Sequence, residues 1–236
     1  MELNIKKTAF LCVTRKKQRS EYVYSINNIP LTRVHEHKYL GLIISHDLRW
    51  ESHINSIVSS ALKRLFFLRR RLREAPPETK LLAYNTFIRS VLEYGNTIWF
   101  PYTQQLINKL EGVQRKAIRF IFNKYRTSDS PSQLLNQACI LTLQKRARLA
   151  RLKLLFQLVH NSLNIDTSLY ISVDESRPSR HKHPLTLREY AFRTDCFRYS
   201  FFPLAIKDWN SLNPSITTNT SLQKFVTLVE EQLRDN

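Results

Sequence analysis

Glycine is scarce in this chain, with three in 236 residues. That argues against a fold built on tight hairpins or on Gly-rich loops that cradle phosphate. Acids are scarce as well: Asp and Glu total 19 against 37 Lys and Arg. Cysteine is confined to Cys12, Cys139 and Cys196. They are odd in number, far apart and without a C-x-x-C pair, so neither a disulfide framework nor a zinc knuckle is supported, and a reducing compartment fits. No apolar run approaches the roughly 18 residues that span a bilayer. The opening MELNIKKTAF has no signal-peptide core, so the expected location is intracellular, nuclear or nucleocytoplasmic. G-x-S-x-G, P-loop and H-E-x-x-H patterns are all missing, and no two aspartates are adjacent. Nucleophilic-elbow, P-loop and zincin chemistry therefore have no support.

What is present is apolar, aromatic and basic. Apolar residues make up 42% and aromatics 11%, enough for a packed core, and the formal net charge is +18. Such an excess sets up a field that captures polyanions, and neutralising phosphates releases counterions. RNA, DNA or an RNA–DNA hybrid is the expected partner, in preference to a membrane or a small molecule.

Residues 1 to 46 read as short strands. Thr8 to Val13, Tyr22 to Ile26, Ile29 to Leu31 and Lys38 to Ile44 form β-prone runs, expected as a small antiparallel set. Asn27-Asn28 supplies a two-residue turn that needs left-handed dihedrals. After Trp50 the period becomes 3.6, predicting a helix over 52–72 with Ile54, Ile57, Val58, Ala61, Leu62, Leu65 and Leu72 inward. Pro76-Pro77 breaks it. Further helices are predicted over 78–94, 104–122, from Pro131, over 142–163, and from the capping box Thr220-x-x-Gln223 to about Leu233. Residues 164 to 185 read as a linker. Leu185 to Phe202 is ambiguous between strand and helix.

Basic runs carry the candidate site. Lys63, Arg64, Arg69, Arg70, Arg71 and Arg73 decorate the first helix with no acid between them. Arg115, Lys116 and Arg119 follow on the third, with Lys124 and Arg126 just beyond. Lys145, Arg146, Arg148, Arg151 and Lys153 lie on the long helix over 142–163. A guanidinium fork pairs phosphate oxygens bidentately, and an ordinary solvated face would mix signs. Among the interleaved rings, Phe66, Phe120 and Phe122 lie on or beside apolar stripes and are expected in the core. Phe67 and Tyr125 are the candidates for stacking on bases. The pairs His35/His37 and His181/His183 lack further ligands and read as surface histidines, as Asp47, Glu51, Asp174 and Glu175 read as surface charges. Phe201, Phe202, Pro203, Trp209 and Asn210 read as packing anchors.

The string HKYLGLIISHDLRWESHI (37–54) resembles the segment just after the polymerase active site in non-LTR, LINE-type (Jockey- and CR1-like) retrotransposon reverse transcriptases. Leu3-Asn4-x-x-Lys7-Thr8, Lys80-x-x-x-Tyr84, Val91 to Gly95, Trp99, Leu110 to Phe120 and Phe201 to Leu212 are similar to the family in the same order, over nearly the whole chain. The resemblance implies a primer-grip-like hairpin at Tyr39, Leu40 and Gly41, although Tyr39, Leu40, Leu42 and Ile44 also read as one buried strand. It implies a helical thumb and post-thumb region after it. The family's aromatic-Ala-Asp-Asp box, which would hold two metal ions, has no counterpart here and is expected before residue 1. Magnesium and deoxynucleotides are thus expected for a full-length family enzyme and no cofactor for this chain, which is expected to be catalytically inactive alone.

The expected fold is α+β and predominantly helical. Its expected parts are a palm remnant over 1–50, a helical thumb and post-thumb bundle over 51–165, and a linker with a C-terminal helical segment over 166–236. Two readings of function follow: a C-terminal piece of a retrotransposon RNA-directed DNA polymerase, or a free-standing nucleic-acid-binding protein put to another use.

Overall fold

In a computed structural model of the chain, which describes residues 4, 8–14, 16, 22–174 and 185–235, the fold is α+β and predominantly helical. The scarcity of glycine and the 3.6-residue apolar period predict that balance. The chain divides into two compact units, Met1–Ser59 and Ser60–Asn236.

The first unit holds three two-stranded sheets. Strand β1 (Ala9–Leu11) leads to a hairpin of β2 (Ser25–Ile26) and β3 (Ile29–Pro30). Asn27 and Asn28 turn that hairpin at φ 49° and 61°, as the Asn-Asn pair predicts. Strand β4 (Thr32–Val34) then pairs with β1, and the pairing is parallel. The expected all-antiparallel set is corrected here: β1 and β4 run in the same direction, and the antiparallel pairs are β2 with β3 and the later β5 with β6. Strands β5 (Glu36–Tyr39) and β6 (Leu42–Ser45) form the last, antiparallel pair. Helix α1 (Glu51–Arg71) starts among these residues. In its first turn the buried His53 accepts the Ile43 N–H at Nδ1, 3.3 Å away. Burial holds this imidazole below its ordinary pKa, which keeps it neutral and able to accept.

The second unit is built on helices. Past Ser60, α1 buries Ala61, Leu65 and Leu68. Pro76-Pro77 ends it and opens α2 (Pro77–Ala83), whose helical path continues through a π-helical turn (Tyr84–Arg89) into α3 (Ser90–Glu93). Gly95, left-handed at φ 64°, separates α3 from α4 (Asn96–Trp99). Helix α5 (Gln104–Phe122) spans the predicted residues, and α6 (Pro131–Gln137) begins at the predicted Pro. Helix α7 (Leu143–Val159) is capped by the Thr142 hydroxyl, which accepts the Lys145 N–H at 3.3 Å. It stops short of the predicted end, with Asn161 and Asn164 both left-handed beyond it.

The residues left ambiguous by sequence fold against α7. Val173 and Leu187 form an antiparallel bridge, followed by α8 (Asp195–Arg198), α9 (Phe201–Asn210), α10 (Pro214–Thr217) and α11 (Leu222–Asp235). Leu152, Leu155 and Phe156 of α7 share one core with Trp209, Phe225 and Val229. Fully burying each such side chain contributes about 1.5–3 kcal/mol. The Trp209 indole N–H donates to the Leu185 carbonyl at 2.9 Å. Asn210 clamps Leu187, accepting its N–H at 3.0 Å and donating to its carbonyl at 2.8 Å. Packing anchors at Trp209 and Asn210, as read from sequence, are what the structure contains.

One buried acid joins α5 to α7. Glu111 accepts the Gln144 N–H at 3.0 Å, filling a donor that the first turn of α7 leaves open. Beside it, Gln114 donates to the Leu141 carbonyl at 3.0 Å. Burial raises the Glu111 carboxyl above its ordinary pKa, against the opposing pull of the Gln144 N–H and Arg115.

Glu111→Ala is therefore expected to cost about 1–2 kcal/mol in urea unfolding, while Glu111→Gln, which still accepts, stays closer to wild type. The raised folded pKa fixes the sign with pH. Wild type gains stability relative to Glu111→Gln as pH falls from neutral toward about 4.3, the ordinary glutamate value. A flat or opposite trend in that difference disproves the assignment.

Candidate nucleic-acid interface

After Glu51, no acid appears on α1 or on the residues up to Arg73. Arg69, Arg70 and Arg71 form its last turn, where the helix dipole favours positive charge. All of the predicted α1 cations, Lys63, Arg64, Arg69, Arg70, Arg71 and Arg73, are exposed. Arg64 spends one donor on the Phe87 carbonyl, 3.1 Å away. Arg73 lies 3.4 Å from Glu74, a pair so open to solvent that it holds neither charge firmly.

The rings between these cations differ from expectation. Phe120 is buried, but Phe66 is 43% exposed and Phe67 50%. Phe66 is corrected from core to surface. The buried arc of α1 runs through Ala61, Leu65 and Leu68, which turns Phe66 outward with Arg69, Arg70 and Arg73 at i+3, i+4 and i+7. These four side chains line one shallow depression. The Arg71 guanidinium lies 5.7 Å from the Phe67 ring centroid.

Tyr125 reaches this surface from the end of α5. Asn123 closes α5 in the left-handed region, and the Lys124 N–H bonds back to the Arg119 carbonyl at 3.0 Å. The loop is held further by Asp129, which accepts the Arg126 N–H at 2.9 Å, and by Arg119, which donates to the Asp129 carbonyl at 3.3 Å. Tyr125, 46% exposed, then lies under the Arg69 guanidinium at 5.1 Å. A contact of this kind is worth about 0.5–1 kcal/mol at an exposed site. Arg115 and Lys116 are exposed on α5, and Arg115 donates to the Asn108 carbonyl at 3.2 Å.

The α7 cations are corrected. Arg151 is only 7% exposed and donates to Asp208 of α9 through Nε at 3.2 Å and Nη2 at 2.9 Å. Arg148 lies 3.1 Å from the other oxygen of the same carboxylate and donates to the Ser211 hydroxyl at 2.7 Å. Arg146 grips Glu93 with two donors, Nη2 to Oε2 at 2.9 Å and Nε to Oε1. Arg148 and Arg151 thus leave the candidate set, since their charge is satisfied inside the fold. Lys145 lines a cavity of about 290 Å³ with Arg234, Asn136 and Cys139. Lys153 remains exposed. Sequence reasoning missed Lys80, which is buried on α2 with its ammonium 5.3 Å from the Phe120 centroid.

In the first unit, Tyr39, Leu40, Leu42 and Ile44 do not form one buried strand: Leu42 is buried and Ile44 half-buried in β6, while Tyr39 is exposed at the end of β5. Leu40 and Gly41 are the turn between β5 and β6, at φ 47° and 85°, and Leu40 is 72% exposed. Positive φ at both central positions is the mark of a type I′ two-residue turn, and a leucine adopts it only under strain. Asp47, read as a surface charge, is half-buried and organises the next turn, accepting from the Ser45 hydroxyl at 2.7 Å and the Arg49 N–H at 3.0 Å. Leu3, Lys7, Arg15, Glu175, His181 and His183 lie outside the described residues. Among the described residues, no three His, Cys, Asp or Glu side chains are grouped to hold a metal ion, and no helix is long and apolar enough to cross a membrane.

No protein-family model matches the chain, and no solved structure matches it. Over 122 residues, 50% of its length, the chain is 24% identical to a Drosophila melanogaster protein described as a probable RNA-directed DNA polymerase from transposon X-element. The aligned segment spans 13% of that protein.

The division between internal and surface arginines is open to measurement. Asp208→Ala, which leaves two arginines without their acid, is expected to destabilise the second unit by about 3–5 kcal/mol in urea unfolding. Arg70→Ala is expected to change stability by less than about 0.5 kcal/mol. Similar costs for the two would refute the division.

Proposed function

We propose that this chain holds nucleic acid by its sugar–phosphate backbone, as part of a non-LTR (LINE-type) retrotransposon RNA-directed DNA polymerase. The observation that carries this reading is the acid-free, exposed run of Lys63, Arg69, Arg70 and Arg71 on α1 with Arg73 just beyond its end. The similarity to a transposon polymerase over half the chain supports it. Arginine forks grip phosphate regardless of sequence, so affinity arises with little base preference. Arg115, Lys116 and Arg119 of α5 are assigned to the same task, with Lys145 as an outlying cation.

In this reading the β5–β6 hairpin takes the primer-grip part. The exposed Leu40 at its tip and the left-handed Gly41 suit close approach of a strand end. The sequence has no adjacent aspartates, so the chain is assigned holding and positioning. Metal-dependent nucleotide addition, with its magnesium and deoxynucleotides, falls to paired carboxylates that this chain does not supply.

Salt is the test. With about four phosphates neutralised, affinity for a short nucleic acid should fall about 100-fold between about 50 and 200 mM salt. Combined Arg69→Ala, Arg70→Ala and Arg73→Ala should flatten that slope by roughly one per contact removed. Fluorescence anisotropy across a salt series measures both, and binding indifferent to salt would exclude backbone contact.

A further inference from the structure

We infer that the patch formed by Phe66, Phe67, Tyr125 and their neighbouring arginines is a stacking platform for unpaired bases, so that this surface prefers a single strand to a duplex. The inference rests on the backbone-binding reading and adds the form of nucleic acid that the patch accepts.

Three rings stand about half exposed on or beside the outward side of α1, at 43%, 50% and 46%; Phe66 and Tyr125 are joined through Arg69, and Phe67 is set about 100° round the helix from Phe66. Helical positions of aromatic residues are ordinarily the ones a fold buries first. These rings instead sit among cations. Phe66 shares its depression with Arg69, Arg70 and Arg73. Arg69 lies over Tyr125 and Arg71 beside Phe67. Each ring therefore has a guanidinium within reach of whatever covers it.

Ring plus guanidinium matches one nucleotide well. A base offers a flat face to the ring, and its phosphate offers oxygens to the fork. In a duplex those base faces are already covered by their neighbours, and only groove edges and phosphates are presented. A purely phosphate-reading surface needs no aromatic residue, and three exposed rings then have no task. An apolar protein partner fits poorly, since covering the rings would strip water from Arg69, Arg70, Arg71 and Arg73 without pairing them. An acidic protein segment would satisfy the arginines but leave the ring faces unused.

The full chain, labelled homopolymer strands and an RNA–DNA hybrid of equal length decide the matter by fluorescence anisotropy at one salt concentration. Wild type is expected to bind the single strand about tenfold more tightly than the hybrid. The variant Phe66→Ala, Phe67→Ala, Tyr125→Ala is expected to lose about tenfold or more on the single strand and less than about threefold on the hybrid. Because the rings are half exposed, its melting transition should stay cooperative and fall only by what the two ring–guanidinium contacts contribute, and Phe66→Leu, Phe67→Leu, Tyr125→Leu keeps apolar area while removing the flat faces. Equal losses on both ligands, or full activity of the leucine variant, would overturn the stacking platform and leave backbone binding standing. Competition by poly-glutamate as effective as by the single strand, at matched charge, would overturn it in favour of charge alone. Failure of wild type to bind either nucleic acid would overturn the backbone reading itself.

Discussion

The second unit depends on the neutralisation of α7 from within. This helix packs against α5 on one side and against α9 and α11 on others, so it has no wide face to give to solvent. Its sequence nevertheless carries Arg146, Arg148 and Arg151. A guanidinium left unpaired in such a place costs several kcal/mol, and the fold meets that demand with Glu93 and Asp208. Both acids come from far along the chain. Glu93 fixes where α3 lies against α7, and Asp208 fixes the rotation of α9 that drives Trp209 into the core beside Phe156 and Phe225. The ion pairs set register more than they add stability, because two charges well packed in a low-dielectric interior recover little beyond their desolvation.

This internal use of acid shapes the outer surface. Glu93, Glu111 and Asp208 are drawn into the second unit's interior, and the sequence has few acids to begin with. Past Glu51, the outward side of α1 is left with one sign of charge. The inward placement of a few carboxylates thus neutralises the core and adds to a surface surplus of positive charge that the composition already carries.

Much of this organisation is legible in the sequence where its cause is local. The bounds of α5, the Asn27-Asn28 turn and the Pro131 start follow from period, dihedral preference and helix-start chemistry, which act over a few residues. The rest depends on partners distant in sequence. Nothing near Arg151 announces Asp208, so its run reads as a free basic face. The parallel pairing of β1 with β4 depends on how many reversals separate them, which strand propensity does not report. Leu40 reads as strand because leucine is a poor resident of a left-handed turn, and the hairpin places it there regardless. Phe66 lies one position from Leu65, and on a helix that single step of roughly 100° separates core from surface.

The π-helical turn at Tyr84–Arg89 makes that angular sensitivity permanent in one stretch of the chain. A π turn amounts to one surplus residue in an otherwise regular coil. It lets Lys80 and Ala83 before it, and Ile88 and Leu92 within and after it, all point inward although no uniform 3.6-residue stripe joins them. The surplus residue works as a phase shifter between two halves with separate obligations, Lys80 toward Phe120 and Glu93 toward Arg146. A size-matched substitution along the stretch would leave both obligations met, whereas adding or removing one residue between Lys80 and Glu93 would rotate one of them by roughly 100° away from its partner.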